Sequence, residues 1–186
     1  MFDPSNELLL KAVQGRKTFF VVDKGIGSES IDRLRKYAQD LKINADFFFV
    51  SGGERVKNGL LGLFYTLWVA FKAWRAGIDR KSVFVLIGGG ATLDMAGFAA
   101  SIFHRGAPQI KIPTTLLAQD DAGIGVKNGI NFFNQKNFLG TFRIPEKVIV
   151  DPYFLKTADE RLMSDGMAEI IKVTLMKDRQ GFHSIE

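Results

Sequence analysis

Short runs of β-branched and aromatic residues alternate along this chain with segments of helical periodicity, and that alternation is its strongest constraint. Strands are predicted near Thr18–Val22, Asp46–Val50, Val83–Ile87, Gln109–Ile112 and Val148–Val150. Helices are predicted at about Ser30–Leu41, Lys57–Ala76 and Thr92–Phe103. Strand–helix–strand order implies a Rossmann-like α/β fold, a mostly parallel sheet flanked by helices on both faces. In such sheets ligands gather beyond the carboxyl ends of the strands, so the segments after each strand are where chemistry is expected.

The texture changes after Asp151-Pro152. From Asp159 to Lys177, Leu162, Met163, Met167, Ile170, Ile171 and Leu175 recur at helical spacing. Thr157 with Glu160 fits a capping box, with Ser164 as a rival start. The division expected is an α/β domain over residues 1–150 and the start of a helical domain over 151–186. No internal repeat or low-complexity segment is visible.

Composition supports a packed core: of 186 residues, 46% are hydrophobic and 24% charged. The 17 phenylalanines, many in runs such as Phe47-Phe48-Phe49, read as strand and core packing. Net charge is +5 and the isoelectric point about 9.5. The cations are spread along the chain rather than gathered in a stripe, which favours a cleft for small anions over a nucleic-acid surface. Without cysteine, disulfides and thiolate metal sites are excluded. No signal peptide is visible, and the longest apolar stretch, Leu60 to Val69, is too short to cross a bilayer, so a cytoplasmic protein without a membrane partner is expected.

The clearest local signal is Ile87-Gly88-Gly89-Gly90-Ala91-Thr92-Leu93-Asp94, a strand running through three glycines into a helix. Glycines let backbone approach a phosphate, and a helix amino terminus supplies free N–H donors. Leu93 stands where a Gly-x-Gly-x-x-Gly fingerprint needs its third glycine, and no Walker lysine follows. A plain tight turn remains the competing reading. After another strand, Ser51-Gly52-Gly53-Glu54-Arg55-Val56-Lys57 offers Glu54 for ribose hydroxyls and Lys57 for a phosphate or ribose, or simply a helix start with Glu in its first turn. Thr114 and Thr115 follow a third strand, where they suit hydrogen bonding to a cofactor or ordinary capping.

Asp121 and Lys127 bracket a glycine-containing loop, an acceptor for sugar hydroxyls beside a cation for an anion. Lys136-Asn137 adds a second cation and an amide. Glu169 and Lys172 lie three apart on one face of the last helix, a surface ion pair or, given their small and apolar neighbours, a pair in a cleft. Of the two histidines, His104 beside Arg105-Gly106 reads as exposed or substrate-side, and His183 reads as tail. No paired metal-binding histidines and no nucleophile elbow are present.

The order of these motifs is more specific than any one of them. Gly52-Gly53-Glu54-x-x-Lys57, Gly88-Gly89-Gly90-x-x-x-Asp94-x-Ala96-Gly97-Phe98-x-Ala100, Arg105-Gly106 and Pro113-Thr114-Thr115-Leu116-Leu117-Ala118-Gln119 succeed one another. Asp121 with Lys127, then Lys136-Asn137, then Ala168-Glu169-x-x-Lys172 complete the series. The chain thereby resembles the sugar phosphate cyclases, the NAD-dependent, metal-assisted family that includes 3-dehydroquinate synthase, from about Thr18 to Lys177.

The resemblance implies NAD contacts at Glu54, Lys57, Gly89, Gly90, Ala91, Asp94, Thr114, Thr115, Lys136 and the Phe154–Thr157 segment, with Asp23 a looser match. It implies substrate contacts at Arg105, Asp121, Lys127, Asn137 and Lys172. Glu169 matches the first of three ligands to a zinc or cobalt ion. The implied reaction converts a seven-carbon sugar phosphate to a carbocycle by transient oxidation, loss of phosphate, return of the hydride and aldol closure, with NAD regenerated. A homodimer is the expected assembly.

Two departures qualify this. The family's other metal ligands are histidines beyond residue 186, and one carboxylate does not hold a catalytic metal. The chain is therefore expected to be an N-terminal fragment, inactive alone though able to bind NAD weakly. The loop Asp121-Ala122-Gly123-Ile124-Gly125-Val126-Lys127-Asn128 also differs from the Asp-Ser-Ser-x-Gly-Gly-Lys-Thr of dehydroquinate synthases. Phe132-Phe133-Asn134-Gln135-Lys136-Asn137 likewise replaces His-Pro-x-Gly-Lys-Asn. The form of the Asp121–Asn128 loop is closer to cyclases acting on sedoheptulose 7-phosphate, such as 2-epi-5-epi-valiolone synthase. A metal-dependent polyol dehydrogenase and a non-catalytic nucleotide-binding module are the alternatives. Polyol dehydrogenases usually carry a lysine soon after the aspartate of the glycine turn, where this chain has Asp94-Met95-Ala96-Gly97.

Overall fold

A computed structural model describes residues 2–158 and 160–177, the side chains of Thr157 and Lys177 excepted. Strands β1 (Thr18–Asp23), β2 (Ala45–Val50), β3 (Val83–Gly88), β4 (Gln109–Pro113) and β7 (Lys147–Val148) form one sheet in the order β2-β1-β3-β4-β7. Every neighbouring pair in it is parallel. Helices α1 (Leu8–Val13), α2 (Ser28–Asp40), α3 (Gly59–Arg75) and α4 (Gly90–Ile102) cover the sheet, and α5 (Leu116–Asp120) and α6 (Glu160–Lys177) follow.

Alternation along the strands sorts side chains to two faces. Phe19, Val21, Phe84 and Leu86 pack with Val69 and Ala73 of α3 and with Met95, Ala96 and Ala99 of α4. Their neighbours Phe20, Val22, Val85 and Ile87 pack with Leu9 and Val13 of α1 and with Leu34 and Tyr37 of α2. Both faces of the sheet are thus covered, which is why its strands read as unbroken apolar runs. Each fully buried Leu, Ile or Phe contributes about 1.5–3 kcal/mol.

Chain order reverses sideways between β1 and β3. From β1 the chain steps to β2 on one side, and later passes to β3 and β4 on the other. Helices leave the two neighbouring strands in opposite directions there, and a crevice opens at their carboxyl ends. Gly88 sits at this point because nothing larger fits. A Cβ on it would lie 2.8 Å from the Asp23 Cβ and 2.9 Å from the Thr92 Cβ.

Three expectations need revision. The last strand spans Lys147–Val148 rather than Val148–Val150, because after the Ile149 N–H donates to the Lys111 carbonyl the chain leaves the sheet edge toward Pro152. The third helix begins at Gly59 rather than Lys57, since Glu54–Lys57 form a separate 3-10 turn between Gly53 and Gly59, both at positive φ. Residues 127–142, where no strand is expected and where the Asp121–Asn128 loop is expected to end, form an antiparallel hairpin of β5 (Lys127–Phe132) and β6 (Gln135–Phe142). Its tip, Phe133-Asn134, has φ of 48° and 58°. Asn is at home in that conformation, but Phe is not, so the pair carries little hairpin signal.

The outer face of α3 is apolar and exposed. Phe64, Trp68, Phe71 and Trp74 form a ladder of neighbouring rings along it. Among the described residues no helix is long and apolar enough to cross a membrane.

Candidate active-site cleft

The crevice is a cleft of about 480 Å³ lined by the turns that follow β1, β2, β3 and β4. Asp23 ends β1; Ser51, Gly53, Glu54 and Lys57 follow β2; Gly89, Gly90, Ala91, Thr92 and Asp94 follow β3; Thr114 and Thr115 follow β4. Asp121, Ala122, Phe154 and, from α6, Leu162 and Asp165 are also part of the lining.

Each turn has a local cause. Asp23 Oδ1 accepts from the Gly25 N–H at 2.8 Å and Oδ2 from the Thr92 hydroxyl at 2.8 Å. This buried carboxylate therefore ties the turn after β1 to the first turn of α4. Gly52, at φ 65°, leaves room for it: a Cβ there would lie 2.1 Å from Oδ1. At the start of α4, Gly89 offers no capping side chain. The N–H groups of the first turn, which have no partner inside a helix, open toward the cleft with the positive end of the helix dipole. Thr115 both lines the cleft and caps α5, its hydroxyl accepting from the Ala118 N–H at 3.2 Å.

One ion pair bridges two of these turns. Lys57 Nζ lies 3.0 Å from Asp94 Oδ2, with the side chains 12% and 18% exposed, and 3.7 Å from Glu54 Oε1. Burial pushes the Asp94 carboxyl above the ordinary carboxylate value, and Lys57 opposes that push. Lys57 also approaches Asn137 Oδ1 at 3.5 Å.

A second depression shares Asp94, Asp121 and Ala122 with the cleft and adds Lys127 and Asn137. The candidate substrate residues Asp121, Lys127 and Asn137 thus gather against the candidate cofactor residues. Lys136 lies apart, in a shallow depression with Asn58 and Asn131. Asn131 joins these regions: its side-chain amide donates to Glu54 Oε1 at 3.0 Å, and its carbonyl accepts from the Asn137 N–H at 2.8 Å.

Not every candidate comes to the cleft. Arg105 is exposed in the 3-10 turn after α4, at the end of the helix opposite the glycine turn. Thirteen helical residues separate the two ends, about 20 Å of rise. Glu169 and Lys172 pair with each other on α6, their side chains 27% and 58% exposed. They do not line the cleft, although Asp165, one turn before Glu169 on the same helical face, does. The side chain of Thr157, the capping box built on it, and His183 lie outside the described residues. Among the described residues no group of three His, Cys, Asp or Glu side chains is placed to hold a metal ion.

Sequence reading missed Asn131, which carries no motif, and Lys111. The latter is a lysine with 0% exposure in the middle of β4. A charged residue between isoleucines in a strand covered on both faces was the available signal.

Fold and site together define a doubly wound α/β protein whose cleft lies at the strand switch point. The profile of the 3-dehydroquinate synthase N-terminal domain matches residues 47–165, and the chain belongs to that family. It is 36% identical over 192 residues to a 2-epi-5-epi-valiolone synthase of Actinomyces sp, covering 100% of this chain and 49% of that protein. It is also 36% identical over 177 residues to the 3-dehydroquinate synthase of Clostridium beijerinckii, covering 95% of this chain and 49% of that protein. The chain therefore spans about half the length of the curated relatives it matches.

Among solved structures, the 2-epi-5-epi-valiolone synthase of Streptomyces hygroscopicus subsp. jinggangensis, with NAD+ and Zn2+ bound, superposes with a TM-score of 0.87 at 32% identity. That match covers 95% of this chain and 48% of the other. An iron-containing alcohol dehydrogenase, at 15% identity and a TM-score of 0.70, shares the fold alone.

Proposed function

We propose that this chain is the dinucleotide-binding portion of a sugar phosphate cyclase, a phosphate-eliminating lyase that closes a carbocycle from a seven-carbon sugar phosphate. One observation carries the reading: Glu54, Lys57, Gly89, Gly90, Ala91, Asp94, Thr114 and Thr115, from three separate strand ends, line a single cleft. The relatives' names and the NAD+ bound in a structure 32% identical to this chain support it.

The residues present fit a dinucleotide. Uncapped N–H groups at the start of α4 suit a pyrophosphate, and glycines let it approach the backbone. Glu54 offers carboxylate oxygens to ribose hydroxyls, and the Thr114 and Thr115 hydroxyls offer donors across the cleft. Lys57 supplies an ammonium already oriented by Asp94 and Glu54. A bound nicotinamide would take up and return a hydride, leaving no net redox change. Asp121, Lys127 and Asn137, in the adjoining depression, offer an acceptor, a cation and an amide to a hydroxylated, phosphorylated ring.

The described residues do not form a metal site. Glu169 is the candidate ligand, and it is paired with Lys172. We read residues 1–150 as the dinucleotide-binding domain and 151–186 as the start of a helical domain. The Asp121–Asn128 loop favours a sedoheptulose 7-phosphate cyclase of the valiolone type over a dehydroquinate synthase. A cytoplasmic, homodimeric parent enzyme rests on the family resemblance alone.

Calorimetric titration with NAD, paired with a phosphate-release assay on sedoheptulose 7-phosphate, tests the proposal. Saturable heat without phosphate release is expected of this chain. Absence of heat would contradict the cleft's assignment, and phosphate release would contradict the reading of the chain as a portion inactive alone.

A further inference from the structure

Lys111 is fully buried among the described residues, and a buried ammonium is costly unless polar partners surround it. Its neighbours Ile110 and Ile112 pack toward α1 and α2. Strand alternation sends Lys111 to the other face of the sheet, beside Leu86, its register partner on β3. The Lys111 Nζ donates to the Ala122 carbonyl at 3.0 Å and to the Gly125 carbonyl at 3.1 Å.

Both carbonyls belong to the turn between α5 and β5, and that turn has little slack. The Gly123 N–H donates to the Ala118 carbonyl at 2.7 Å, and the Gly125 N–H to the Asp121 carbonyl at 2.8 Å. A Cβ on Gly123 would lie 2.5 Å from the Ala118 carbonyl oxygen and 2.8 Å from Pro113. The same turn carries Asp121 and Ala122 into the cleft, where Ala122 stands against Gly90. Burial pushes the Lys111 ammonium below its ordinary value, while the carboxylates of Asp94 and Asp121 hold it up. A methionine would fill the same space without that cost. The charge is therefore explained by what it holds.

We propose that Lys111 is a positioning residue of the cleft, whose ammonium clamps the Ala122 and Gly125 carbonyls and so fixes where the 121–125 turn presents Asp121 and Ala122. Its effect on NAD rests on the function proposed above; the clamp itself does not.

Lys111→Met keeps the apolar stem and removes the donors, and Lys111→Gln keeps an amide donor without the charge. Residue-resolved amide exchange, NAD calorimetry and thermal melting are measured on the whole chain. In Lys111→Met, which loses both charge-assisted hydrogen bonds, exchange at Gly123 and Gly125 is expected to rise at least roughly tenfold. Val85 and Leu86 in β3 should keep their protection, and the melting temperature should hold or rise. NAD should bind roughly tenfold more weakly for the same reason. Lys111→Gln should fall between, and it decides the exchange result if Lys111→Met does not fold. Unchanged exchange at Gly123 and Gly125 would overturn the clamp, as would a loss of protection spread evenly through β3 and β4. If the unsubstituted chain gives no heat with NAD, the dinucleotide reading falls alone and amide exchange still decides the clamp.

Discussion

Two lysine–carboxylate pairs set the cleft apart from the last helix. Lys57 and Asp94 come from turns after different strands and meet with little solvent contact. Glu169 and Lys172 are three residues apart on α6, and the lysine is largely exposed. The first pair exists only because the sheet brings its partners together, so it reports tertiary structure. The second is available to any helix with that spacing. The cleft is thus assembled by the sheet's carboxyl edge, whereas the candidate metal ligand sits in a local arrangement that any surface helix can make.

The comparison breaks most sharply at the frame of the cleft. Gly52→Ala forces a side chain onto positive φ and against a carboxylate already held by Gly25 and Thr92. Unfolding free energy in denaturant is expected to fall by about 3 kcal/mol, with NAD binding lost. Lys57→Met leaves Asp94 mostly buried without its cation. A cost of about 2 kcal/mol is expected from chemical unfolding, with at least tenfold weaker NAD binding.

A smaller effect concerns pH. Burial raises the Asp94 carboxyl above 3.8 in the folded protein. The folded state therefore keeps this proton at pH values where the unfolded chain has lost it. Asp94's contribution to stability is present below the ordinary value and lost as pH rises through the raised one. Unfolding measured across the mildly acidic range should show that slope in the unsubstituted chain and lose it in Asp94→Asn. Smallest of all is Lys172→Ala, expected to change stability by no more than about 0.5 kcal/mol and NAD affinity not at all. A large loss of stability there would erase the contrast between the two pairs.

Much of this was legible in the sequence, for physical reasons. Strand runs such as Val83–Ile87 are apolar throughout because both faces of the sheet are covered, and that pattern survives in one dimension. The glycine turn was legible because Gly88 answers to a close approach that no other residue permits. What escaped depends on contacts distant in sequence. Asp23 matched the family's NAD contacts only loosely, yet its Thr92 hydrogen bond makes it a brace of the cleft wall. The partners of Lys111 are carbonyls 11 and 14 residues further along the chain, which strand pattern alone does not reveal. The β5–β6 hairpin was hidden by Phe133, an unusual residue for its tip. Arg105 follows the glycine turn closely in sequence, but a whole helix separates them in space.

Residue-resolved NMR titration of the chain with NAD tests the cleft most directly. Saturable shifts concentrated at Gly89, Gly90, Ala91, Glu54 and Thr114, with α3 and the Arg105 turn silent, are the expected result. Shifts scattered over the surface, or none at millimolar NAD, the weak end of ordinary affinities, would contradict the account.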